Sequence, residues 1–158
     1  EKQNSINNIK PNRRIGKDFE NRERNEKIEI KNLTDNEEKI NRVLFDGEAM
    51  ITNGYNLPCK KIIQTVGPKA FGKVSKQDRV DLRNCYYNSL ELARENHLES
   101  IAFPCIATGI YGFPQEEASI IAIKTISDYL EKYPNSFKHI IFNVFKDEDY
   151  IIYKKNLK

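Results

Sequence analysis

The sequence predicts an α/β fold built on a mixed, mostly parallel sheet with helices on both faces. Three observations carry that prediction. From Lys60 onward, apolar runs of strand length alternate with longer amphipathic stretches in the order strand, helix, strand, helix, strand, helix. Strands joined through helices by right-handed crossovers lie parallel. The 158 residues suit one ordinary domain, long enough to bury one core. Finally, the loop "ATGIYGFP" (Ala107 to Pro114) sits between an apolar strand and a helix start, where open parallel sheets hold their ligands.

Residues 1–25 are almost wholly polar, with Pro11 and Gly16 as breakers, and are set apart from a domain expected over residues 26–158. "KPNRRIGKDFENRERNEK" reads either as a basic arm for phosphate backbones or as a disordered tail or surface helix. Asp18, Glu20, Glu23 and Glu26 interleave with the basic residues and favour the second. "KIEIKNL" (Lys27 to Leu33) alternates at period two, as a half-buried strand does, and "TDNEEKINRVLF" offers a cap, early acids and an apolar cluster for a short helix. "GEAMIT" and "CKKIIQTVG" are strand-like runs separated by "NGYNLP", whose Asn53-Gly54 pair signals a turn, so the two are expected to pair antiparallel.

Ser75 and Asp78 resemble a capping box opening the helix "SKQDRVDLRNCYYNSLELARENH", with Val80, Leu82, Tyr86, Leu90 and Ala93 as its core stripe. "SIAFPCI" is the next strand. Pro114 is placed as the first residue of a helix whose early acids suit the helix dipole. Ala118, Ile121, Ala122, Thr125, Ile126, Tyr129 and Leu130 form the buried stripe of that helix. "HIIFNVF" is the last strand, and "DEDYIIYKKNLK" a closing helix with acids first and lysines last.

Composition narrows the partners. A net charge of +3 gives no electrostatic mandate for nucleic acid. No apolar run approaches the ~20 residues of a membrane span, and the first residues are polar. Cys59, Cys85 and Cys105 lack CxxC spacing and sit among apolar neighbours, which suits buried thiols in a reducing compartment. The chain reads as cytoplasmic.

In "ATGIYGFP", Gly109 and Gly112 can take positive φ, consecutive amides can form a concave donor surface for an anion, and the helix after Pro114 adds its positive end. Tyr111 and Phe113 bring flat apolar surface beside that anion site, which suits a sugar or base attached to a phosphate. On spacing alone an equal reading is a tight turn with aromatics packed under it. The loop is neither a Walker loop nor a GxGxxG turn.

"GEAMITNGYNLPCKKIIQTVGP", the helix containing "NCYYNSLELA", and "SIAFPCIATGIYGFPQEEASIIAIKTI" resemble, in order and spacing, the second half of a macrodomain, from Gly47 to about Tyr153. The resemblance implies a macrodomain-like three-layer sandwich and a loop that wraps the diphosphate and distal ribose of ADP-ribose. Carried across, Thr108, Gly109, Ile110, Tyr111 and Gly112 offer backbone donors and Phe113 shapes the pocket wall. Phe145, at the end of the last strand, is the candidate adenine partner, with a core role as the alternative.

The segment before Gly47 departs from the family, having no "NAAN" strand end and no glycine-rich loop, while Asp35 lies near the place of the adenine-reading acid. Gln64 stands where relatives often carry His and reads as a strand-buried amide. His97 and His139 form no cluster with cysteines, so neither metal nor cofactor is expected. Asp147, Glu148 and Asp149 lie on the ligand side and read as helix-capping acids before a base; Glu48 reads as a hairpin contact. No catalytic residue is assigned. The implied function is binding of ADP-ribose or ADP-ribosylated protein, with hydrolysis of the linkage as the enzymatic reading. The alternatives are a non-catalytic reader and a degenerate domain acting in protein interactions. If residues 1–46 do not rebuild the absent half, the chain is expected to form a homodimer or to need a partner fragment.

Overall fold

A computed structural model describes residues 43–157; the strand predicted over Lys27 to Leu33, and nearly all of the helix predicted after it, lie outside those residues. The described elements are β1 (Ala49–Asn53), β2 (Lys61–Thr65), α1 (Lys76–Glu95), β3 (Ser100–Phe103), α2 (Gln115–Lys132), β4 (His139–Phe142) and α3 (Asp147–Asn156). β1 and β2 form the antiparallel hairpin that Asn53-Gly54 announces, with Ile51 opposite Ile63. β3 and β4 pair in parallel, joined through α2.

The capping box is complete. The Asp78 amide donates to Ser75 Oγ at 3.1 Å, and the Ser75 amide donates to the Asp78 carboxylate at 2.7 Å. Leu82, Tyr86, Leu90 and Ala93 are buried as expected. Val80 is instead 47% exposed: two residues before Leu82, it lies about 200° round the helix from the core stripe. Helix α2 buries Ala118, Ala122, Thr125, Ile126 and Tyr129 of its expected stripe, with Ile121 and Leu130 half-buried against the core, and begins one residue later than expected, with Pro114 as its cap.

Aromatic packing fixes the carboxyl ends of β3 and β4. Phe103 meets Tyr86 of α1 with ring centroids 5.1 Å apart, and Phe142 meets Tyr153 of α3 at 4.8 Å. Because Phe103 and Phe142 are register partners, α1 and α3 cover the same face of that strand pair. Leu82, Leu90 and Ile126 extend this core, each contributing roughly 1.5–3 kcal/mol by leaving water. The described strands form two pairs, β1–β2 and β3–β4, and β2 and β3 do not bond to each other.

Two burial expectations are corrected. Cys59 is exposed, because it belongs to the hairpin connection rather than to β2, whereas Cys85 is buried and Cys105 half-buried. Gln64 is exposed: side chains alternate along β2, and the core side is taken by its neighbour Ile63.

Candidate functional site

β3 ends at Phe103, and residues 104–114 cross its carboxyl end before α2 begins. The crossing is tied down at both sides. The Ile106 amide donates to the Tyr86 hydroxyl at 3.5 Å, the Phe113 amide donates to the Ala107 carbonyl at 3.0 Å, and the Phe113 side chain is buried. Within it, the Gly112 amide donates to the Gly109 carbonyl at 3.0 Å. Ala107 (φ 64°) and Gly112 (φ 66°) both adopt the left-handed conformation, so the residues between them bulge outward.

The bulge presents main chain. Among the described residues, no hydrogen bond takes up the amides of Thr108, Gly109, Ile110 or Tyr111. Thr108 Oγ1 turns back to donate to the Cys105 carbonyl at 3.2 Å, Ile110 is 92% exposed, and open space surrounds Gly109. Successive free amides just before a helix N-terminus are donors available to an anion. Three expectations change. Gly109 does not take positive φ; Gly112 shapes the loop while its amide is engaged; and Phe113 lies beneath the loop, since its apolar ring is better placed in the core.

A second segment, after β2, lies against this loop and is absent from the sequence-derived site. The Phe71 amide donates to the Tyr111 carbonyl at 2.7 Å and the Gly72 amide to the Gly112 carbonyl at 3.0 Å. Lys69 Nζ stands 5.8 Å from the centre of the Tyr111 ring, within cation–π range. Gly67 permits the approach, because a Cβ there would lie 2.9 Å from Ile106 Cγ2. The sequence carries one signal for this segment, the Phe71-Gly72 pair a few residues past "TVGP".

Phe145 follows β4 and is 79% exposed, which removes the core alternative. As β3 and β4 are parallel, Phe145 and the loop extend from the same end of that pair. Asp147 and Glu148 are exposed, whereas Asp149 is buried and accepts a hydrogen bond from the Lys146 backbone; burial pushes its carboxyl above the ordinary range. Burial, with the Asp149 charge adding to it, pushes the Cys105 thiol up to about 12, and burial also holds the Tyr153 hydroxyl protonated. The groups behind the loop are therefore a neutral thiol and a neutral phenol at pH 7. Glu48 accepts the Phe45 amide at 3.1 Å, a local hairpin contact. Among the described residues, no group of three His, Cys, Asp or Glu side chains is placed to hold a metal ion, and no helix is long and apolar enough to cross a membrane.

The Macro domain family model matches residues 23–122, well over half of the chain. The chain belongs to the macrodomain family. The human ADP-ribose glycohydrolase MACROD2 is 51% identical over 111 residues, which is 70% of this chain and 26% of that protein. A protein-ADP-ribose hydrolase of Staphylococcus aureus is 48% identical over 110 residues, 69% of this chain and 41% of that one. Among solved macrodomains, that of Oceanobacillus iheyensis with ADP superposes with a TM-score of 0.67 at 41% identity, over 72% of this chain and 58% of its own. The Trypanosoma brucei macrodomain in complex with ADP-ribose gives 0.66 at 35% identity, over 72% of this chain and 47% of its own. This macrodomain chain thus spans well under two thirds of each relative.

Proposed function

We propose that the chain binds ADP-ribose, free or attached to protein, with the diphosphate on the amides of Thr108 to Tyr111 and the adenine toward Phe145. The observation that carries this is the run of four uncommitted amides at the end of a parallel strand. Hydrogen bonds to a charged group contribute about 1.5–3 kcal/mol each. Four of them therefore span the roughly 8 kcal/mol that micromolar binding represents, before ordering costs. Isothermal titration with ADP-ribose, with ADP as control, tests the reading. Saturable micromolar binding, tighter than for ADP, is expected; no heat up to millimolar ligand overturns it.

Hydrolysis of the ADP-ribose linkage is the second reading, favoured by the names of the human and staphylococcal relatives. Mass spectrometry of an ADP-ribosylated protein incubated with the chain tests it: loss of the modification supports an enzyme, and retention with intact binding supports a reader. The half-buried and buried thiols fit a reducing compartment, and the cytoplasm is the proposed location.

A further inference from the structure

Phe71 stands where the fold gives a large side chain no reason to be. The Lys73 amide donates to the Ala70 carbonyl at 2.9 Å, and the two residues between them, Phe71 and Gly72, have positive φ of 46° and 81°. That is the pattern of a type I′ turn, whose first central position suits glycine, asparagine or aspartate. A phenylalanine there is disfavoured by its Cβ, and its ring, 72% exposed, gains little from the core. The turn is nonetheless held in place, because the Phe71 and Gly72 amides both bond to the anion loop. An apolar ring is thus fixed in water beside the site.

Its surroundings carry one sign of charge. Lys69, Lys73 and Lys76 are exposed, and among the described residues none of them is in an ion pair. Asp78, the next acid along the chain, caps α1 through the Ser75 amide, and Glu117 is taken by Arg79. The turn also lies at a defined end of the site. The Asn143 amide donates to the Phe103 carbonyl at 2.8 Å, so the exit of β4, which carries Phe145, adjoins the entry of the loop. Phe71 and Gly72 bond its far end, at Tyr111 and Gly112. A ligand with its diphosphate on the free amides and its adenine at Phe145 therefore directs its other ribose toward Phe71 and the lysines. Protein-linked ADP-ribose is joined to its polypeptide through that ribose.

We propose that Phe71, Lys69 and Lys73 read the polypeptide around the modified residue, favouring one with acidic residues and an apolar side chain beside the attachment point. The lysines attract the acids in exposed pairs, each weak alone, and the ring covers the apolar side chain. Phe71 is then explained by what it binds and not by folding. The inference rests on the ADP-ribose reading, since attachment at the remote ribose is what brings the polypeptide to this edge, and the test separates the two.

The probes are short peptides carrying ADP-ribose through a triazole link that water does not cleave. One has aspartates and a leucine beside the attachment point; the others have serine in place of the aspartates or of the leucine. Their affinities for the full chain are measured by calorimetry beside that of free ADP-ribose. The aspartate and leucine peptide is expected to bind roughly three- to tenfold more tightly than either serine peptide at low salt, with the aspartate part of the gain fading at about 0.5 M salt. Lys69→Gln combined with Lys73→Gln should remove the preference for aspartate. Phe71→Asn should remove the preference for leucine with no fall in Tm, because asparagine accepts the left-handed conformation. If free ADP-ribose binds and the peptides bind equally, the proposal is overturned and the ADP-ribose reading stands; if none of these ligands binds, both fall. The proposal is also overturned if the lysine variant weakens free ADP-ribose and every peptide alike while the preference for aspartate persists. It is equally overturned if Phe71→Asn melts well below the parent, since the ring then serves the fold.

Discussion

Replacing Gly112 by alanine separates a loop shaped by its backbone from one that is merely polar. At φ 66° an L-residue costs about 1–2 kcal/mol relative to glycine. The added Cβ would lie 3.0 Å from the Gly72 amide nitrogen and 3.2 Å from Phe71 Cα, both backbone atoms that cannot swing aside. Relieving that contact pulls on the Gly72–Gly112 and Phe71–Tyr111 hydrogen bonds, each contributing about 0.5–1.5 kcal/mol. The sum is about 2–5 kcal/mol, or a fall in Tm of roughly 10 °C or more for a domain of this size. ADP-ribose binding should fall with it, since the amides of Thr108 to Tyr111 lose their common direction. Gly109→Ala is the control: its φ is ordinary and nothing approaches the new methyl group, so stability should stay within about 1 kcal/mol while the methyl obstructs the ligand. Urea unfolding and calorimetric titration of both variants give the four numbers needed. A Gly112→Ala protein as stable as the parent, or Gly109→Ala costing as much as Gly112→Ala, would refute the reasoning.

Phe145→Ala should leave urea unfolding within about 0.5 kcal/mol, because the ring is exposed. It should weaken ADP-ribose binding roughly tenfold or more, as loss of about 1–3 kcal/mol of base stacking implies. Asp149→Asn should stabilise the fold at pH 7. Burial raises the native carboxyl above its ordinary 3.8, so stability is lost as pH rises from that value through the native pKa. The advantage of the variant should therefore shrink toward pH 4, and urea unfolding at the two pH values checks it. With a chromogenic disulfide reagent at pH 8, Cys59 should react at once. Cys85 and Cys105, one buried and the other pushed up to about 12, should react only as the protein unfolds.

Local chemistry made much of the fold legible. The Ser75–Asp78 box, the Asn53-Gly54 turn and the 3.6-residue stripes of α1 and α2 are decided by residues near in sequence, and all stand in the structure. Expectations failed where an outcome depends on which neighbour faces which way. Val80 lies on the far side of its helix, and Cys59 falls in the loop rather than the strand. At the site, glycine and aromatic content marked the loop but not its internal wiring. That the Gly112 amide is consumed, that Phe113 is buried beneath, and that Phe71 and Gly72 come from another strand's exit are results of tertiary contact. The division of the strands into two pairs carries no local signal, because an unpaired edge looks the same in sequence as a paired one.

The central claim is that four backbone amides, not a side chain, receive the diphosphate. The direct measurement is the ¹⁵N–¹H spectrum of the chain titrated with ADP-ribose. The amides of Thr108, Gly109, Ile110 and Tyr111 should move downfield together along one saturable curve, with the Gly112 amide, already bonded to Gly109, moving least. Saturable binding that leaves those four signals in place, or a larger shift at Gly112 than at its neighbours, would contradict the account.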